Sequence, residues 1–130
     1  MWATIAAASL LWAAAPSDDD YRKWMKAAAA ACGRVKKGVE AKTAGPDMAK
    51  DAAEMASNFK MIQGYWKAKG ADDAVKLAKE AESASEMIAK AAKDGKAEDA
   101  AAHFKTATAT CGVCHKAHRD KGADGSWVIK

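Results

Sequence analysis

The sequence predicts an all-α fold, an up-down-up-down antiparallel four-helix bundle. Composition is the first observation behind this prediction. Alanine, which has the highest helix propensity, occupies 35 of 130 positions, whereas proline occurs only 2 times and β-branched residues are few. The spacing of apolar residues is the second observation. Turn signals divide most of the chain into four segments, and each carries apolar residues at spacings of three and four. Amphipathic helices joined by short loops are typical of such a bundle.

The first helix is predicted to begin at Ser17 and to end near Thr43. Ser17 is a favourable N-cap, and the three aspartates after it place negative charge at the positive end of the helix dipole. A second helix is predicted from Pro46 to Lys69, since proline suits a first helical turn. The apolar stripes of these helices are Tyr21, Met25, Ala28, Cys32, Val35 and Val39, then Met48, Ala52, Met55, Phe59, Ile62 and Trp66.

A third helix is predicted to begin at Asp72-Asp73 and to end at Lys93-Asp94-Gly95, and a fourth to run from near Lys96 to about Arg119. Glycines at positions 122 and 125 indicate a loose C-terminal tail, in which Trp127 covers a surface groove or nothing. The stripes here are Ala74, Leu77, Ala81, Ala84, Ile88 and Ala91, then Ala97, Ala100, Phe104, Ala107, Cys111, Cys114 and His118.

Residues 1–15 are predicted to be a signal peptide, which leaves residues 16–130 as one domain. The stretch 2–15 is uncharged, too short to span a bilayer as a helix, and ends in three alanines. Two features depart from the usual pattern, because no lysine or arginine precedes the stretch and Pro16 follows the simplest cleavage point. We expect a periplasmic or otherwise exported protein with no stable membrane insertion after processing. The alternatives are an apolar helical extension and an uncleaved anchor.

Composition also limits the ligands and partners. The formal net charge of +4 is small and mixed in sign, so nucleic acid is not an expected partner. The odd number of cysteines, 3, argues against a disulfide framework and excludes a four-cysteine iron–sulfur site within one chain. Alanine fills little volume in a close-packed interior, which suggests that something else fills space in this domain.

The decisive motif is Cys111-Gly112-Val113-Cys114-His115 on the fourth predicted helix. Cys-x-x-Cys-His is the attachment signature of c-type haem. Two thiols three residues apart can each form a thioether with a haem vinyl group, and the adjacent imidazole can bind the iron as proximal ligand. The motif therefore predicts one covalent haem c near one end of the bundle. Export agrees with this, because c-type haem is attached outside the cytoplasm.

Other uses of these cysteines remain open. A thiol redox pair usually accompanies a βαβ pattern, which this sequence lacks. A zinc site would need Cys32 or His118 as a fourth ligand, at spacings that match no common zinc finger. The plainest alternative for Cys111 and Cys114 is a pair of small buried apolar residues, which is also the interpretation of Cys32.

The four helices and the run from Cys111 to Arg119 resemble the class II c-type cytochromes, which comprise cytochrome c′ and its methionine-ligated low-spin relatives. The resemblance covers roughly residues 17–121, and its specific part is the C-terminal motif. The family usually has an aromatic residue, often tyrosine, before an arginine after Cys-x-x-Cys-His. Here that pair is His118-Arg119, so His118 departs from the family pattern.

The resemblance implies that the sixth iron position faces the first helix. Low-spin members place a methionine there, often a few residues after an arginine, and Arg22-Lys23-Trp24-Met25 matches that order. Met25 is thus the expected sixth ligand, with core filling as its alternative. High-spin cytochrome c′ has a nonpolar residue instead and leaves the iron open. Weaker candidates are Met48, Met55, Met61 and Met87, and His118 is expected at the haem edge or the surface.

These residues predict an exported monohaem electron carrier and not an enzyme, since no acid–base or nucleophilic constellation is visible. The alternatives are a five-coordinate protein that binds NO or CO, like cytochrome c′, and a zinc-binding helical module. Arg119 is expected either to pair with a haem propionate or to favour the helix C-terminus. The chain from His103 onward is net basic, which favours acidic redox partners. A monomer and a homodimer are equally compatible with the sequence.

Overall fold

The structure, a computed structural model, describes residues 14–130 as four helices followed by a two-stranded sheet. The elements are α1 (Asp18–Glu40), α2 (Pro46–Lys69), α3 (Asp72–Lys93), α4 (Ala97–His118), β1 (Arg119–Lys121) and β2 (Trp127–Ile129). Consecutive helices pack against each other across short loops, which confirms the predicted four-helix bundle. Residues 1–13 of the expected signal peptide lie outside the described part. Within residues 14–130, no helix is long and apolar enough to cross a membrane.

Helix α1 begins as predicted and ends earlier than predicted. Ser17 and Asp20 form a capping box, in which each side chain accepts a hydrogen bond from the main-chain N–H of the other, at 3.1 and 3.0 Å. The helix ends at Glu40, and the prediction that it extends to Thr43 was wrong. Lys42 adopts a left-handed backbone with φ 54°, which a continuing right-handed helix does not allow.

The ends of α2 and α3 agree with the predicted bounds. Pro46 occupies the first turn of α2, where its missing N–H leaves no helical hydrogen bond unmade. Gly70 ends that helix with φ 72°, a left-handed conformation that glycine adopts without a steric penalty. Because only residues 70–71 separate α2 from α3, the chain must reverse directly and the two helices become antiparallel neighbours.

The C-terminal tail is ordered into a hairpin, so the expectation of a loose tail was wrong. Helix α4 ends at His118, in agreement with the predicted end near Arg119, because Arg119 is extended (φ −140°, ψ 133°) and opens β1. Gly122 and Gly125, which suggest a loose tail in the sequence, form the turn of this hairpin. The Gly122 N–H donates to the Ser126 carbonyl at 2.7 Å, and Gly125 supplies a positive φ of 82°.

The core is built mostly from alanine, and α2 supplies most of its large side chains. The predicted stripe of α2 is buried along its whole length. Tyr65 lies outside that stripe, yet its side chain is fully buried. Helices α1 and α4 make few contacts with each other compared with the consecutive pairs. The bundle is therefore least closely packed between its first and last helices.

Candidate functional site

A cavity of about 400 Å³ opens between α1, the end of α4 and the C-terminal hairpin. This volume lies within the range of small-molecule sites, roughly 300–1,000 Å³. Most of its surface is apolar, and none of the side chains lining it is acidic. The lining residues are Tyr21, Arg22, Met25, Ala28, Ala29, Phe59, His115, His118, Arg119, Ser126, Trp127, Val128 and Ile129.

Three of the five predicted site residues line this cavity together. Met25 reaches it from α1, and His115 and Arg119 reach it from the end of α4 and the start of β1. Met25 and His115 are far apart in sequence, and the packing of the first and last helices places both at one end of the bundle.

Cys111 and Cys114 line a second, much smaller space of about 20 Å³. Met25 and Phe59 line both spaces, so these two side chains form the wall between the thiols and the larger cavity. Cys111, Cys114 and His115 lie on the last two turns of α4, where residues three or four apart share a face. All predicted site residues are therefore near one another, but the thiols do not line the larger cavity.

The cysteine side chains are held as neutral thiols. Burial raises the pKa of Cys111 to about 11 and also raises the pKa of Cys114. The Cys111 Sγ lies 3.4 Å from the Ala107 carbonyl, to which the thiol donates. A dithiol redox pair instead needs a thiol whose pKa is lowered, because the thiolate is the nucleophile. The environment of these cysteines therefore disfavours thiol–disulfide exchange.

His115 is half-buried, and its environment favours the neutral imidazole. Burial is the main cause that lowers the pKa of His115, and the nearby positive charge of Arg119 lowers it further. A histidine binds a metal through a neutral ring nitrogen, so proton competition at this site is weak near neutral pH. The position is suited to a metal ligand.

Arg119 is held against an aromatic ring and has an unpaired donor. The guanidinium carbon lies 3.7 Å from the centroid of the Trp127 ring, a close cation–π contact. The Arg119 Nε is buried and has no hydrogen-bond partner within the described residues. Buried donors are nearly always paired, and the indole N–H of Trp66 is the other buried side-chain donor without a partner within these residues.

His118 is half-buried, with its side chain 15% exposed, and it lines the larger cavity. Its Nε2 lies 2.7 Å from the Asp73 carboxylate, and its Nδ1 lies 3.0 Å from the main-chain oxygen of Lys130. The ring also packs on Trp66 at 4.6 Å between centroids. His118 thus connects α4, α3 and the chain end beside the cavity.

The remaining candidates lie elsewhere. Met48 and Met55 are buried in the core, Met61 and Met87 are exposed, and none of them lines the larger cavity. Cys32 is half-buried against the core. In the described range 14–130, no three His, Cys, Asp or Glu side chains converge so that they could hold a metal ion. A zinc site built from Cys111, Cys114 and a third such side chain therefore has no preformed ligand set there.

Sequence reasoning missed the hairpin as part of the site. Ser126, Trp127, Val128 and Ile129 form one wall of the cavity, but polar residues and glycine around them suggested a loose tail. The alternation of Trp127, Val128 and Ile129 after Asp124-Gly125 was the available hairpin signal.

No family model matches the chain, and neither a curated protein nor a solved structure matches it.

Proposed function

We propose that this protein is an exported monohaem c-type cytochrome that carries electrons. In this proposal the haem is attached through Cys111 and Cys114, and His115 and Met25 are its axial ligands. The observation that carries the proposal is the cavity itself, since His115 and Met25 line one apolar space beside the two thiols of a Cys-x-x-Cys-His motif. The likeness of this motif to that of class II c-type cytochromes supports it.

The chemistry of the lining fits a haem. Apolar side chains suit a flat hydrophobic ring, and the buried unpaired Nε of Arg119 suits a propionate. Cys111 and Cys114 form no disulfide within the described residues, and burial raises the pKa of both thiols. Bringing Cys111 and Cys114 to the ring requires Met25 and Phe59 to move from the wall between the two spaces. Moving Met25 and Phe59 breaks no side-chain hydrogen bond within residues 14–130.

The protein's own residues would perform three tasks. His115 presents a neutral nitrogen, Met25 a polarisable sulfur that favours the reduced state, and the apolar walls exclude water. When bound, the haem supplies one-electron redox chemistry. Two arginines, Arg22 and Arg119, line the cavity, and no acidic residue does. We infer that the redox partner presents an acidic patch and that association slows as salt increases.

Expression with a cytochrome c maturation system tests the proposal. We expect haem that stays on the chain after denaturation, and its loss in the double variant Cys111→Ala/Cys114→Ala. Cys32→Ala is the matched control, because Cys32 is also a free half-buried cysteine but lies outside the motif, and it should retain the haem. A wild-type chain that releases all haem on denaturation would overturn the proposal.

A further inference from the structure

Three aromatic rings pack together between the cavity and the outer surface of the bundle. Tyr21 lines the cavity. Its ring stacks on that of Tyr65, with 4.4 Å between the centroids and 26° between the planes. Trp66 meets both rings edge-on, at 5.3 Å from Tyr21 and 5.0 Å from Tyr65. Because rings at these separations touch, an electron can pass between them, and the stack forms a continuous path from the cavity wall to Tyr65.

A carboxylate accepts a hydrogen bond at the far end of this path. The Tyr65 side chain is fully buried, yet its hydroxyl donates to Asp18 Oδ1 at 2.7 Å. Burial is the main cause that raises the pKa of Tyr65, and the Asp18 carboxylate raises it further. The phenol is therefore protonated at neutral pH. An oxidised phenol is instead a strong acid, so removing an electron from Tyr65 requires a base within reach of its hydroxyl.

Asp18 can act as that base. The hydrogen bond from Tyr65 is the main cause that lowers the pKa of Asp18, and Lys69, whose Nζ lies 3.4 Å from Oδ1, lowers it further. Asp18 is thus a carboxylate at neutral pH. Its side chain is 53% exposed, so a proton that it takes up can pass to solvent. The hydroxyl of Tyr21 bonds to no carboxylate within residues 14–130, and the two tyrosines therefore differ in their suitability for oxidation.

We propose that Tyr65 is a redox-active tyrosine, which gives up one electron through Tyr21 to a one-electron oxidant in the cavity and its hydroxyl proton to Asp18. The oxidant belongs to the class of oxidising radicals and is reduced by one electron. The O–H bond of Tyr65 breaks and an O–H bond forms on Asp18, which leaves a neutral tyrosyl radical beside a neutral carboxyl group. The site would carry oxidising equivalents away from the cavity, where Met25 is an oxidisable side chain.

Pulse radiolysis of the full chain produced without haem tests this proposal. The probe is the azide radical, which takes one electron from a tryptophan or tyrosine side chain and becomes the azide anion. Transient absorption follows the growth of the tyrosyl radical, and electron paramagnetic resonance of frozen samples identifies it. Because the chain contains only 2 tyrosines, Tyr21→Phe and Tyr65→Phe each leave one. We expect the tyrosyl yield to fall severalfold in Tyr65→Phe, and the radical to form in Tyr21→Phe but more slowly.

Asp18→Asn tests the proton acceptor, because it keeps the size of the side chain and an oxygen while removing the base. The rate of tyrosyl formation should fall by at least about tenfold, the scale of one hydrogen bond to a charged group. Asp19→Asn is the matched control, since Asp19 lies in the same first turn of α1 and Tyr65 donates to Asp18 instead. In the wild type, D₂O should slow the reaction. Circular dichroism shows whether each variant has folded.

Each part of the proposal has an outcome that would overturn it. Oxidation that stays on tryptophan in the wild type, or a full tyrosyl yield in Tyr65→Phe, would exclude Tyr65 as the radical site. Equal rates in the wild type and Asp18→Asn would remove Asp18 as the proton acceptor. An unchanged rate in Tyr21→Phe would contradict the path through Tyr21. Because no haem is present in these measurements, their outcome is independent of the test of covalent haem attachment.

Discussion

The Nε2 of His118, the last residue of α4, lies 2.7 Å from the Oδ2 of Asp73 at the start of α3. The other ring nitrogen contacts the main-chain oxygen of Lys130, 3.0 Å away. One imidazole thus joins two helices to the last residue of the chain, and the hairpin that it holds forms a wall of the cavity. The stability of that wall should depend on this side chain.

His118→Ala should loosen the hairpin. Removing the imidazole takes away two hydrogen bonds and the packing on Trp66, at an expected cost of about 1–2 kcal/mol in the free energy of unfolding. Hydrogen exchange of the amides in residues 119–129 should become faster than in the wild type. His103→Ala is the control, since His103 also lies on α4 and makes no side-chain hydrogen bond in the described residues. Unchanged exchange in the hairpin would contradict the anchoring role.

Met25→Ala should change the spin state of the matured protein. If the Met25 sulfur binds iron, the wild type has a low-spin six-coordinate spectrum and the variant becomes high-spin. Met61→Ala, an exposed methionine outside the cavity, should leave the spectrum as in the wild type. A wild type that is already high-spin and readily binds CO or NO would instead support the gas-binding alternative.

Ala28→Leu should block the cavity while preserving the fold. Ala28 lines the cavity, so a leucine at this position has space for its side chain. Because the leucine buries additional apolar surface, it should raise the free energy of unfolding of the haem-free chain by about 1 kcal/mol. Covalent haem per folded chain should fall severalfold. Ala31→Leu is the contrasting control, because Ala31 is fully buried away from the cavity. There, overpacking should cost about 1–3 kcal/mol without changing the haem content of the folded fraction.

Tyr65→Phe should remove a pH-dependent part of the stability. The Tyr65 hydroxyl donates to Asp18 Oδ1 at 2.7 Å, and this hydrogen bond is the main cause that lowers the pKa of Asp18. A carboxyl whose pKa is lowered by folding stabilises the fold above its unfolded pKa of about 3.9, and the effect is lost as pH falls through the folded pKa. Tyr65→Phe should therefore be less stable at neutral pH, and the difference should shrink in acid.

Urea midpoints measured from about pH 7 to about pH 2 check this expectation. Tyr21→Phe is the matched control, since Tyr21 stacks on Tyr65 and its hydroxyl bonds to no carboxylate within residues 14–130. Its difference from the wild type should not vary with pH over this range. A Tyr65→Phe difference that is equally constant would contradict the assigned role of the Asp18 hydrogen bond.

The candidate site residues could be proposed from the sequence because each has a local sequence signal. The Cys111–His115 spacing is visible within five positions, and Met25 lies on the inward stripe of α1. The structure adds that Met25 and His115 line the same cavity. Arg119 has two expected roles, a propionate partner and a favourable charge at the helix end, and both stay predictions.

The sequence by itself determined the helices and their order. Alanine propensity, the Ser17 capping box, Pro46 and Gly70 act within a few residues, so they can be recognised without knowing what packs against them. The same local reasoning placed the end of α1 too far along the chain. Neither the left-handed turn at Lys42 nor the extended backbone of Arg119 has a strong signal in its own residue type.

Only the tertiary structure decided which side chains meet at the cavity. The contact of His118 with Asp73 joins residues 45 positions apart, and the Arg119 stack on Trp127 depends on strand register. Such contacts follow from how helices and strands pack, whereas propensity and periodicity describe neighbours in the chain. The hairpin became a wall of the site for this reason. Its turn is local, but its place beside His115 and Met25 depends on the whole bundle.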